Sequence, residues 1–196
     1  MDSLIRITKN INFADLRSGR KLPVDVYEEQ METWLVRPLE QLSTDRINSF
    51  ENGYAMLGLE LLFFEPHGKY LSGNAINGSR RTFDFGFERF RNFLLTNNLI
   101  SQEMNHKIAN TNFYNISRCG IFHDMTIKSG LLIDSINMDS SNVFYKSPVN
   151  DGILVNPWNF LDALKEYLKR YILLLRNENE SQEKQNFELV FNSLFQ

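Results

Sequence analysis

Cysteine is almost missing from this chain. Cys119 is the only one in 196 residues, so no internal disulfide can form and zinc sites built on several thiolates are excluded. Histidine is nearly as scarce. His67, His106 and His123 have no metal-ligand spacing, so neither a metal nor another cofactor is expected. Long hydrophobic runs are also lacking: residues 61–64 and 171–175 fall far short of the roughly 20 apolar residues a membrane-spanning helix needs. The opening Met-Asp-Ser-Leu-Ile-Arg has no uninterrupted apolar stretch of the signal-peptide kind. The expectation is a cytoplasmic protein without a membrane partner. The glycines at 68, 73 and 78 form neither Gly-x-Gly nor Gly-Lys-Ser/Thr, so no phosphate cradle is read there. No serine sits in a strand–turn–helix elbow, which removes the usual nucleophilic triad.

What remains is ordinary in amount and unusual in kind. Hydrophobic residues make up 42% and charged residues 23%, a balance typical of one globular domain spanning 1–196. Sixteen Phe, seven Tyr and two Trp predict an aromatic core. The net charge of −3 is unevenly spread. Residues 1–77 hold 8 basic and 11 acidic side chains, residues 78–130 hold 7 and 4, and residues 131–196 hold 6 and 9. The middle stretch alone is positive, as a phosphate-handling region would be.

Apolar spacing is mostly helical. Tyr27, Met31, Trp34, Leu35, Pro38 and Leu42 fit a first helix that Pro38 must kink or interrupt. Phe50, Tyr54, Leu57, Leu61 and Phe64 define a second, which the sequence ends at Pro66 before a loop over 68–79. Phe83, Phe87, Phe90 and Leu94 mark a third, and residues 106–125 a fourth. Three short apolar runs, at 131–133, 143–145 and 153–155, predict a small antiparallel β insertion within 128–156. Asn156-Pro157 opens a long helix with Leu161, Leu164, Leu168, Ile172 and Leu175 inside, and Phe187, Val190, Phe191 and Leu194 close the chain. The fold class read from this is mainly α, a helical bundle with a small β insertion.

One hexamer, Arg118-Cys119-Gly120-Ile121-Phe122-His123, looks like chemistry. It sets a permanent cation near an imidazole, a side chain that exchanges protons near neutral pH. On a regular α-helix the two would stand about 140° apart, so a single copy does not stack them on one face. Gly120 would allow another backbone to come close, as at a seam between two copies. Two readings stay open on the residues alone: a phosphate-handling pair completed by a second copy, or Gly120 packed inside one chain with His123 bonding a carbonyl.

The passage from Phe113 to His123 resembles a stretch of bacterial proteins of the HEPN (higher eukaryotes and prokaryotes nucleotide-binding) superfamily, whose signature is Arg, four to six residues, then His. The likeness extends over about 52–176, and Arg-Cys-Gly-x-x-His is its specific part. The resemblance implies a helical bundle acting as a homodimeric, metal-independent endoribonuclease that leaves a 2′,3′-cyclic phosphate. In it, His123 serves as acid or base and Arg118 stabilises charge, with Gly120 at the dimer seam. Arg80, Arg81, Lys107 and Lys128 supply positive charge for RNA or a nucleotide. A defence or toxin setting, with an antitoxin or other protein partner, goes with the family; the alternative is a catalytically silent member that binds a nucleotide or a protein. Cys119 stands where active members often carry a polar residue. Met125 stands where some carry a tyrosine modified by a partner enzyme, so that regulation is not expected.

Overall fold

The computed structural model describes residues 6–44, 49–124, 126–128, 130–134, 141–147, 151–177 and 181–195. Residues 1–5, Met125 and parts of the β insertion (129, 135–140 and 148–150) lie outside these. Short α1 (Phe13–Arg17) is followed by α2 (Pro23–Met31), α3 (Arg37–Thr44), α4 (Ser49–Leu62), α5 (Phe64–Ser72), α6 (Ser79–Thr96), α7 (Gln102–Ala109) and α8 (Gly120–Asp124). Strands β1 (Leu131–Ile133), β2 (Phe144–Lys146) and β3 (Ile153–Val155) precede α9 (Pro157–Arg176) and α10 (Gln182–Phe195). The chain is mainly α with a small β insertion.

The sheet is mixed rather than wholly antiparallel. Its order is β1-β3-β2, with β2 antiparallel to β3 and β1 parallel to it. The chain reverses between successive strands, so β1 and β3 run the same way. Placing β3 in the middle makes those two neighbours.

Two helical expectations also change, each for a local reason. The helix does not end at Pro66. Proline in the first turn of α5 removes an N–H that would have no partner anyway, and α5 runs on through Gly68 to Ser72. It stops at Gly73, whose φ of 61° gives the left-handed cap. Gly68 lets α5 cross α6 at backbone contact: a Cβ there would lie 1.9 Å from the Thr82 carbonyl oxygen. Gly86 answers from α6, where a Cβ would lie 2.4 Å from the Phe64 carbonyl oxygen. Before Pro38, the chain widens into a π turn, Glu32–Val36, in which the Arg37 N–H bonds to Glu32 O. That turn interrupts the regular ladder just where proline lacks its donor.

The main core lies between α4, α6, α9 and the sheet. Phe87 stacks on Phe113 at 4.5 Å, and Phe90 on Phe160 at 5.0 Å. Phe64 meets Phe83, Phe87, Phe90 and Phe160. Asn156 caps α9 by accepting from the Asn159 N–H. A second apolar cluster joins Ile11, Tyr27, Tyr70, Tyr171, Phe187 and Phe191. His67 is buried beside it, stacked on Phe63 at 4.5 Å. Its Nε2 hydrogen-bonds to the Tyr167 hydroxyl at 2.8 Å, and its Nδ1 lies 3.4 Å from the Tyr27 hydroxyl. Burial lowers the His67 pKa to about 3, so the ring is neutral.

Candidate functional site

The helix expected over 106–125 is broken ahead of the hexamer. The chain leaves α7 at Asn110, turns, re-enters helix at Phe113 and widens into a second π turn, Asn115–Cys119, ahead of α8. Ser117, buried, donates its hydroxyl to the Phe113 carbonyl at 2.6 Å. Such a back-bond competes with the helical ladder at the point where the turn widens. Single π turns inserted in helices are often found at functional sites. Across this turn the regular α-helical angle between Arg118 and His123 no longer applies.

The segment after α8 folds back over it. Thr126 N–H bonds to Gly120 O and Lys128 N–H to Ile116 O, both at 3.1 Å. Gly120 is buried beneath this return, and a Cβ there would lie 2.6 Å from the Thr126 carbonyl oxygen. The close approach expected between two copies at Gly120 is therefore taken up within one chain.

Arg118 is fixed from three sides. Its Nη2 donates to Glu65 Oε2 at 3.0 Å, with side-chain exposures of 21% for Arg118 and 19% for Glu65. The guanidinium carbon lies 5.5 Å from the ring centres of Tyr114 and Phe122, one turn before and one turn after it. Tyr114 is anchored in turn by an edge contact with Phe83 at 5.2 Å. Burial raises the pKa of the Tyr114 hydroxyl, Arg118 opposes that shift, and Cys119 and Glu65 add to it. The phenol is therefore protonated and neutral. Only one nitrogen of the planar fork meets Glu65, so the arginine keeps donors for a second anion.

His123 is exposed and makes no hydrogen bond or ion pair among the described residues. Its neighbour Asp124 pairs with Lys128 at 3.0 Å rather than orienting the imidazole. Arg118, Gly120, His123 and Lys128 thus share one turn–helix–return unit.

No family model, curated protein or solved structure matches this chain.

The other basic residues stand on different elements and are mostly engaged. Arg80, in the first turn of α6, pairs with Asp84 at 3.6 Å and borders a cavity of about 340 Å³ that Arg91 and Phe113 also line. Arg81 beside it is exposed. Lys107 on α7 binds both the carboxylate and the carbonyl of Asp151. A further cleft of about 550 Å³ lies between α2 and α9, floored by Met31, Val36, Leu168 and Ile172. Among the described residues, no group of three His, Cys, Asp or Glu could hold a metal, and no helix is long and apolar enough to cross a membrane.

Two parts of this site lie outside the Arg118/His123 pair. Tyr114 and Phe122 flank Arg118 at i−4 and i+4, a spacing that places side chains one above another on a helix. That signal was available. Glu65 had none, since nothing local links it to a residue 53 positions away.

Proposed function

We propose that the chain is a HEPN-like RNA-cleaving or RNA-binding protein, acting without metal and as a homodimer. The observation that carries this is the pairing of a clamped guanidinium, with donors to spare, and an unengaged, exposed imidazole on the next turn. In cleavage, the 2′-hydroxyl attacks the adjacent phosphorus. His123 takes its proton, and Arg118 donates to the oxygens on which charge grows. The 5′-oxygen leaves with a proton from a second acid, giving a 2′,3′-cyclic phosphate and a 5′-hydroxyl. One imidazole cannot be base and acid in the same step. Two copies about a two-fold axis provide both, each bringing one Arg and one His. Because Gly120 is already covered by Thr126, the copies meet through residues around it. Lys128 is held beside the same turn and adds positive charge. Arg80, Arg81 and Lys107 steer the chain of phosphates from α6 and α7. In this reading the protein works inside the cell in defence or as a toxin, with a protein partner restraining it.

The runner-up is a silent member that binds a nucleotide or a protein without cleavage. The Arg118–Glu65 ion pair favours it, since the carboxylate offsets part of the charge a reacting phosphate would draw on. Light scattering with and without RNA, alongside product analysis in EDTA, separates the two. A dimer yielding cyclic-phosphate ends supports the first. Nucleotide binding without new ends supports the second.

A further inference from the structure

Phe122 is the one aromatic ring of this site that the core does not claim. Its partner across the guanidinium, Tyr114, is half-buried against Phe83. Ile121, the residue before Phe122, is buried in the main core. Phe122 instead keeps 39% of its surface open, and among the described residues it makes no contact with another ring. It lies one turn beyond Arg118, whose guanidinium is 5.5 Å from its centre, and directly before the exposed His123. An exposed phenyl ring gains nothing from water and much from a second flat surface. Beside a cation with free donors, the flat surface that fits is one covalently attached to an anion.

We propose that Phe122 is the nucleobase platform of this site, stacking the base next to the phosphate that Arg118 holds. This rests on the RNA reading above and adds the form of the substrate: a single strand with an unpaired base beside the scissile phosphate. Every base has a π face, so such stacking tolerates sequence. A base inside a duplex is already stacked on both faces and cannot take the position. Arginine, phenyl ring and base form three layers, with the guanidinium on one side of the ring and the base on the other. Purines, with the larger π surface, stack better than pyrimidines.

The test is binding of an uncleavable oligonucleotide, with a 2′-deoxy sugar at the reacting position and 2-aminopurine as the adjacent base. The full chain is compared with Phe122→Leu, which keeps an apolar side chain, and with Phe122→Tyr, which keeps the ring. Native protein and Phe122→Tyr quench the probe and prefer the single strand to a duplex of the same sequence. Phe122→Leu does not quench, and its affinity for the single strand falls about 5- to 100-fold, with thermal stability close to native. Quenching and affinity unchanged in Phe122→Leu overturn the platform while leaving the RNA reading intact. A native chain that binds neither form overturns both.

Discussion

The Nη2 of Arg118 donates to Glu65 Oε2 across 3.0 Å, tying the π turn that carries the arginine to the first turn of α5. Both side chains are about four-fifths covered, so the pair is screened less than a surface ion pair and each partner depends on the other. Glu65→Ala leaves the guanidinium without its anchor. It is expected to cost about 1–3 kcal/mol of stability and, because the arginine is no longer held in place, to lower cleavage even though no carboxylate then competes with the phosphate. Glu65→Gln, whose carbonyl still accepts from Nη2, is expected to retain most of both. Thermal unfolding and RNA cleavage of the two variants check this. Equal behaviour of Ala and Gln would mean Glu65 does not position Arg118.

The glycines make a second prediction. Gly120→Ala pushes a Cβ against Thr126 O within one chain, and Gly68→Ala pushes one against Thr82 O. Overpacking of this kind costs about 1–3 kcal/mol, against up to about 1 kcal/mol gained from the better helix former. Gly68→Ala, with the closer backbone contact, is expected to be the more destabilising. Denaturant unfolding ranks them. A Gly120 variant that dissociates a dimer at native monomer stability would restore that glycine to the seam.

Much of the fold was legible in the sequence, because period alone places an amphipathic helix. Tyr54, Leu57 and Leu61 on α4, and Leu161, Leu164 and Leu168 on α9, face the core as their spacing requires. Phe50 shares the α4 spacing yet is exposed. What spacing could not give was long-range geometry. Gly68 looks like the start of a loop until α5 and α6 are seen to cross there, with Gly86 facing it. The parallel β1–β3 pairing depends on which strand ends up in the middle. In the site, Arg118 and His123 were visible as residue types, whereas Glu65 becomes a partner only when α5 passes the π turn.

Acid stability should report on His67. Its folded pKa is lowered by burial to about 3, against an ordinary value of 6.5. Between those values the unfolded chain binds the proton and the folded one does not, so stability falls as pH drops from 6.5 toward 3. The slope approaches about 1.4 kcal/mol per pH unit for one group. His67→Phe is expected to flatten that slope while losing the bond to Tyr167. An unchanged slope would mean the imidazole is protonated in the native state.

Glu60 carries the opposite sign. Its side chain is fully buried, and among the described residues neither oxygen has a hydrogen-bond partner. Burial raises its pKa well above 4.5, so the folded chain keeps a proton that the unfolded chain gives up, and stability falls as pH rises above 4.5. Glu60→Met, of similar size and without polar atoms to satisfy, is expected to stabilise the protein by about 1–3 kcal/mol at neutral pH. The difference from native should grow with pH. Calorimetry at several pH values checks it, and a less stable variant at neutral pH would contradict it.

The most direct test of the central proposal is cleavage of end-labelled single-stranded RNA in EDTA by the native chain, His123→Ala and Arg118→Ala. The native chain is expected to cleave to 2′,3′-cyclic phosphate ends with a bell-shaped pH dependence, since one imidazole must be neutral while its counterpart is protonated. His123→Ala is expected to lose at least about 100-fold in rate and Arg118→Ala most of its activity, with both variants still folded. Cleavage that requires a divalent metal, or that survives both substitutions, would contradict it.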